Sequence, residues 1–493
     1  MSTNQGTDPP PRRSGAFNQG RVLLIVVSVV GLVAVGAIAV VLSGSPQDVT
    51  PRPPGVATGP DSSRMPPGSP SITDYCTSVA RAWAGTGKTI AVSPGESLQA
   101  ATDAAVDGDT IELADGTYNR ASVTLNKAVR LRARNRLRAV LVGNTTPRYA
   151  NDTTVGTPTD TAVAVRVSGA MVEGLNIRHY NTAVDVEGVA NPVIQRNRIT
   201  SAYEVGVSLW DTRNAEVRCN EMLDPYLADD PVGSLTAGPT SDAQMDYGVA
   251  VYGSQEPRVH HNYFHGVFNQ ALSFKEGNRD PYAGYNTFEG FNLTALFFGQ
   301  NNPNNGPYHF TGLPVGPDHG TLVAEYNVFR NVYGLRGGAK VVYFARSPLR
   351  VWHVNGDTTL RGNVVESSRQ GIALECRAGT DGGCATGTIL VQHNTIGGKV
   401  KDLSRTPTTV NTTSGVLVYT GLRARARIDS NVFVSLPAQV KPFTDGVTGT
   451  PFLTSTNGRA LSSRSAELLR QASPATDPDL SYADASRTPR RTR

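Results

Sequence analysis

Short runs of alternating apolar and polar residues recur along the middle of the chain, each opening on a small residue. Gly206-Val-Ser-Leu, Gly248-Val-Ala-Val, Ala271-Leu-Ser-Phe, Ala295-Leu-Phe-Phe, Gly371-Ile-Ala-Leu and Gly415-Val-Leu-Val are examples. A period of two predicts short strands that bury one face. Between them an Asn, one further residue and an apolar residue return together. The instances are Asn197-Arg-Ile, Asn220-Glu-Met, Asn262-Tyr-Phe, Asn286-Thr-Phe, Asn327-Val-Phe, Asn363-Val-Val, Asn394-Thr-Ile and Asn431-Val-Phe. Asn176-Ile177 is a first instance that lacks the spacer. The shorter intervals define a unit of about 22 residues, and the longer ones read as one or two units with inserted loops.

A unit this short cannot bury its apolar face alone, but stacked turns of chain can. The prediction is an all-β chain wound as a parallel β-helix, a solenoid with Asn at each tight bend. Asn suits the bend because it tolerates left-handed backbone angles and its amide can bond the next coil. A leucine-rich repeat shares the period but needs a dense Leu pattern, absent here. A propeller, with blades of about 40 residues, is the alternative that the longer intervals keep open. At the entry, Ser97 to Val106 reads as a short amphipathic capping helix, Gly108 follows its end, and a strand begins at Thr110. Such a helix would cover the open edge of the first coil. The stretch from Pro94 to Tyr118, with the Asn ladder, resembles the right-handed parallel β-helix proteins of the pectate-lyase-like superfamily over roughly residues 88–440. The resemblance implies a fold and leaves the activity open.

Val22 to Leu42 is an uncharged run of 21 residues. As a helix it would span about 31 Å, one bilayer core. Arg12, Arg13 and Arg21 precede it and no Lys or Arg follows until Arg52. That asymmetry predicts a cytoplasmic tail over 1–21, one transmembrane helix over 22–42 and an extracellular remainder at the cell membrane. A cleaved signal peptide is the alternative, but its apolar region is shorter. Residues 43–74, rich in Pro, Gly and Ser, read as a linker. Residues 75–445 form the predicted β-helix. Residues 446–493 form a C-terminal tail with a short helix candidate at Ser463–Gln471. With 39% hydrophobic and 18% charged residues the chain is not disordered throughout. The net charge of +5 sits in the two tails, which argues against a folded nucleic-acid-binding surface. Four Cys exclude a disulfide-dense mini-scaffold. Outside the cell, Cys376 and Cys384 could close a Gly-rich loop and leave Cys76 to pair with Cys219. The alternative is Cys219 as a small buried apolar residue.

Stacking the units on their small residues sets Glu187, Trp210, Tyr252, Lys275, Gly299, Glu375 and Tyr419 in one outward column, joined by Phe344. The faces of Trp210, Tyr252 and Phe344 would suit sugar rings. The alternative is that these aromatics pack beneath inserted loops at 221–245 and 299–325. Six residues before the column stand Glu204, Asp246 and Asn269 on three consecutive coils. Oxygen-bearing side chains so placed suit Ca²⁺, and equally a solvated turn. Ala82 to Thr89 looks like a phosphate loop without its first Gly, and a strand rather than a helix follows it. His260-His261 and Asp318-His319 offer no third metal ligand at a recognisable spacing and read as solvated turns.

The segment Phe268-Asn-Gln-Ala-Leu-Ser-Phe-Lys275-Glu-Gly-Asn, followed by Tyr285-Asn286-Thr-Phe288, is similar to the catalytic region of the alginate lyase and chondroitinase B family of polysaccharide lyases. The resemblance implies Lys275 as the base that removes the proton beside a uronic-acid carboxylate. The family's acidic Ca²⁺ ligands have no counterpart in Phe268-Asn269-Gln270, nor its Arg in Phe298-Gly299-Gln300. Arg279 and Arg346 are the candidates to neutralise the developing charge. The expected function is action on a polysaccharide, lyase-like on an acidic glycan. The alternatives are a non-catalytic glycan-binding or adhesive solenoid, and a glycoside hydrolase using paired carboxylates such as Glu204 and Asp246.

Overall fold

The computed structural model describes, with short breaks, residues 87–143, 161–223, 245–299, 316–330, 347–375, 387–402 and 408–443, together with Tyr75, Cys76, Trp83 and Gly85. All of these lie in the second of two compact units, Ala57–Arg493. The run at 22–42, the helix candidate at 463–471, Cys376, Cys384, Phe344 and Arg346 lie outside the described residues. Among the described residues no helix is long and apolar enough to cross a membrane.

Alternation produces three parallel sheets, of 12, 11 and 11 strands, here called sheets I, II and III. The chain visits them in turn. Phe268–Lys275 in sheet II leads to Tyr282–Gly284 in sheet I and Thr287–Glu289 in sheet III. The next strand, Asn292–Gly299, returns to sheet II and pairs in parallel with the first. This is the expected parallel β-helix, and its parallel ladders exclude the propeller. Inward positions of sheet II stack Val207, Val249, Leu272, Leu296, Leu349 and Ile372 in one row. Leu209, Val251, Phe274, Phe298, Val351 and Leu374 form the next. All are buried. Successive coils place like rings over one another: Phe274 lies 5.0 Å from Phe298, and Phe288 lies 4.8 Å from Phe264 and 5.0 Å from Phe329. Large aromatic areas so removed from water are the main stabilising term of such a core.

The bends differ from expectation in one respect. The left-handed residue is not the Asn but its predecessor: Arg196, Cys219, His261, Tyr285, Tyr326, His393 and Ser430 have φ between 50° and 60°. The Asn side chain instead turns inward and is buried. Asn262 Nδ2 donates to Val217, His260 and Asn286, and its Oδ1 accepts from both the backbone and the side-chain amide of Asn220. The same pattern repeats from Asn197 to Asn431. The first position of this ladder belongs to Leu175, whose N–H bonds Asn197. Asn176 falls one place later, on a sheet III strand. The missing spacer was the sign of this slip.

The capping helix spans Leu98–Asp103, shorter than the predicted Ser97 to Val106, with Ser97 as its N-cap accepting from Ala100 N–H. Gln99 accepts from the N–H of Thr124 and donates to its carbonyl, so the helix occupies the free edge of Val123–Leu125, the first strand of sheet II. Cys76 is joined to Cys219 across 143 residues. In chain-entropy terms a loop of that length corresponds to about 5 kcal/mol. Tyr75 then lies flat on His261, with ring centroids 3.7 Å apart.

Candidate functional site on the outer face of sheet II

Three outward columns cross the middle of sheet II. Ser208, Ala250, Ser273, Phe297, Arg350 and Ala373 are in register in the central one. The next outward column is Glu187, Trp210, Tyr252, Lys275, Gly299, Trp352 and Glu375. This is the predicted column, except that Trp352 holds the place expected for Phe344. Tyr419 extends a strand of the same sheet. The third column carries Val205, Tyr247, Gln270 and Thr294.

Small residues of the central column form a floor, and two long side chains meet across it. Lys275 Nζ donates to Tyr247 Oη at 2.8 Å and stands 4.3 Å from the centre of that ring. Phe297 lies one coil on, its centroid 6.0 Å from Lys275 Nζ and 5.9 Å from the Arg350 guanidinium carbon. Arg350 also sits 4.3 Å over Trp352 and pairs with Glu375 at 2.5 Å. The Arg350 Nε is buried with no hydrogen-bond partner among the described residues. The face thus carries two cations among aromatic rings, with one carboxylate between coils.

The ridge, read either as an open aromatic face or as one packed beneath inserted loops, is buried at its charged members. Lys275 exposes 2% of its surface, Arg350 6% and Glu375 8%, while Tyr247, Trp210 and Tyr252 are only partly buried. Trp210 and Tyr252 stack on each other, 3.9 Å apart and 4° from parallel. Their facing sides are therefore spent on one another. Gly299 is required where it stands. Its φ is 126°, and an added Cβ would lie 1.4 Å from the Trp352 carbonyl oxygen. Its N–H donates to Asp318 at 2.8 Å.

Of the other predicted residues, Arg279 is exposed, pairs with Asp280 and bridges Gln255 and His319 in a separate ladder. Arg346 lies outside the described residues. Glu204 is exposed and accepts from Asn181 at 3.0 Å. The register that pairs Val205 with Tyr247 and Met245 with Phe268 brings Glu204, Asp246 and Asn269 to one level of adjacent strands. Among the described residues no group of three or more His, Cys, Asp or Glu could hold a metal ion.

The two dipeptides set aside as solvated turns are largely buried. His260 and His261 face each other through their Nδ1 atoms at 2.9 Å, and His260 Nε2 contacts Glu216. Burial pushes both imidazoles below their ordinary range, His261 further. Asp318 is fully buried, and desolvation pushes its carboxyl up to about 7 despite donors from Asn278 and Gly299; its neighbour His319 is exposed as expected.

Tyr247 and Arg350 were missed for identifiable reasons. Tyr247 falls at an inward place by strict alternation from Tyr252, but Gly248 and Val249 both face the core and so turn it outward. Arg350 belongs to Leu349-Arg-Val-Trp352, an alternation that opens on no small residue.

Chemically, an ammonium bonded to a phenol can move a proton, and a guanidinium nearby can neutralise an anion. No family model and no curated protein matches the chain. Among solved structures it is similar to the polygalacturonase from Erwinia carotovora ssp. carotovora, with 10% identity, a TM-score of 0.47 and coverage of 76% of this chain and 97% of the other. The catalytic unit of a thermostable GH87 alpha-1,3-glucanase from Streptomyces thermodiastaticus strain HF3-3 gives 15% identity and a TM-score of 0.45, over 74% of this chain and 66% of that one. A mannuronic acid specific polysaccharide family 6 lyase from human gut microbiota gives 12% identity and a TM-score of 0.41, over 72% and 78%. The parallel coil rests on the register of the chain's own three sheets, independently of these likenesses.

Proposed function

We propose that this chain acts on a polysaccharide at the outer face of sheet II, as a lyase of an acidic glycan. The observation that carries the reading is the pair of cations, Lys275 and Arg350, set on either side of Phe297 with Tyr247 against the Lys. Removing a proton beside a carboxylate builds negative charge, and a cationic, aromatic surface would stabilise it. In this reading Lys275 belongs to the proton-transfer centre and Arg350 takes the neutralising role first sought in Arg279 and Arg346. Trp210 and Tyr252 border the sugar path, a part also expected of Phe344. Ca²⁺ near Glu204 and Asp246 is an accessory to the proposal, tested by activity with and without a chelator. The proposal also keeps the domain outside the cell, held at the membrane through Val22–Leu42.

The low exposure of Lys275 favours a second reading, a non-catalytic glycan-binding or adhesive solenoid. One variant separates the two. Lys275→Met, which keeps the stem of this buried side chain, should lower release of unsaturated uronic products at neutral pH by about 100- to 10,000-fold, while glycan affinity stays near the parent's. Salt-sensitive binding without turnover by the parent would favour the adhesive reading. New reducing ends without the unsaturated product would favour a hydrolase.

A further inference from the structure

Within the lyase reading, and resting on it, we infer that Tyr247 is the group that takes and returns the proton, and that Lys275 is the buried cation that holds Tyr247 ready. Two observations point this way. Lys275 exposes 2% of its surface, whereas Tyr247 is only partly buried. The contact between them is a donor from Nζ to the phenol oxygen at 2.8 Å. A charged donor on that oxygen favours phenolate over phenol, by the same contact that favours the ammonium over the amine. A Lys so engaged is the wrong member of the pair to be the base, and the Tyr is the right one. The floor of Ala250 and Ser273, both fully buried, lets the two long side chains lie along the sheet and meet.

The step balances on Tyr247 alone. The phenolate takes the proton from the carbon beside the uronate carboxylate. That C–H electron pair becomes the new carbon–carbon double bond. The adjacent C–O bond to the leaving sugar breaks, its electrons staying on oxygen, and the phenol returns the proton to that oxygen. Lys275 and Arg350 supply the positive field, and the phenolate is regenerated. Tyr247 is thus the catalytic residue and Lys275 a positioning residue.

The test uses the full-length chain on alginate, polygalacturonate and chondroitin, following unsaturated product against pH. Tyr247→Phe, which keeps the ring, should lower kcat by about 100- to 10,000-fold with KM little changed. Lys275→Met, which keeps the stem, should retain a measurable rate whose rise is displaced to higher pH, because the phenol must then ionise unaided. Lys275→Arg should restore part of the parent profile. Turnover by Tyr247→Phe at the parent rate overturns the inference. So does a Lys275→Met variant that is folded and inactive at every pH, or one whose profile is unshifted. That profile decides the matter even where Tyr247→Phe does not fold. A parent that releases no unsaturated product overturns the lyase reading and the inference together.

Discussion

Asn262 shows how much one residue can carry in this chain. Five hydrogen bonds pass through its side-chain amide, linking three successive coils. Each is buried, so removing the amide leaves the partners unsatisfied as well as unbonded. Asn262→Ala should therefore cost on the order of 3–5 kcal/mol, read as a lower denaturant midpoint. An unchanged midpoint would show that the ladder is ornamental. The recurrence of Asn was plain in the sequence. Its task was not, because the neighbour with the left-handed backbone can be His, Tyr, Cys or Arg and leaves no constant letter. The cost of positive φ is borne by that neighbour, and where it is His261 or Tyr285 the two rings stack on each other from coil to coil.

A second ladder runs through the turns between sheets II and I. Thr212 N–H bonds Ser254 Oγ, Ser254 N–H bonds Asn278, and Asn278 bonds Asp318. Asp318 ends it with a fully buried carboxyl raised from 3.8 to about 7 by desolvation. A carboxyl whose folded pKa is raised binds its proton more tightly when native than when unfolded. Stability should then fall as pH rises from about 4 to about 7 and level off above. Melting temperature across that range should show the decline, and Asp318→Asn should flatten it. A parent curve that rises there would contradict the assignment. This ladder was not legible, because Thr, Ser, Asn and Asp succeed one another with no repeated residue. The strands themselves were legible, since period two marks the buried face whatever the side chain. Residues outside that alternation, Tyr247 among them, could be placed only once the register between coils was known.

At the scale of the molecule, the one-sided Arg distribution around Val22–Leu42 and the Cys76–Cys219 bond suit a coil held outside the cell. Protease added to intact cells should remove the region after Ser43 and spare the N-terminal tail. A soluble mature protein beginning near residue 40 would refute the anchor. The parallel stacking of coils followed from sequence period and alternation. The burial of Lys275, Arg350 and Glu375 on the outer face of sheet II did not, because alternation marks an outward position without fixing its exposure. That face carries the functional account, since Lys275, Tyr247, Phe297 and Arg350 converge nowhere else among the described residues. The most direct test is the absorbance of unsaturated uronic products when the purified full-length chain meets a panel of acidic and neutral polysaccharides. The account predicts a steady rise with at least one acidic polymer and none with the neutral ones. No rise with any acidic polymer, by a protein whose circular dichroism is that of a folded β coil, would contradict it.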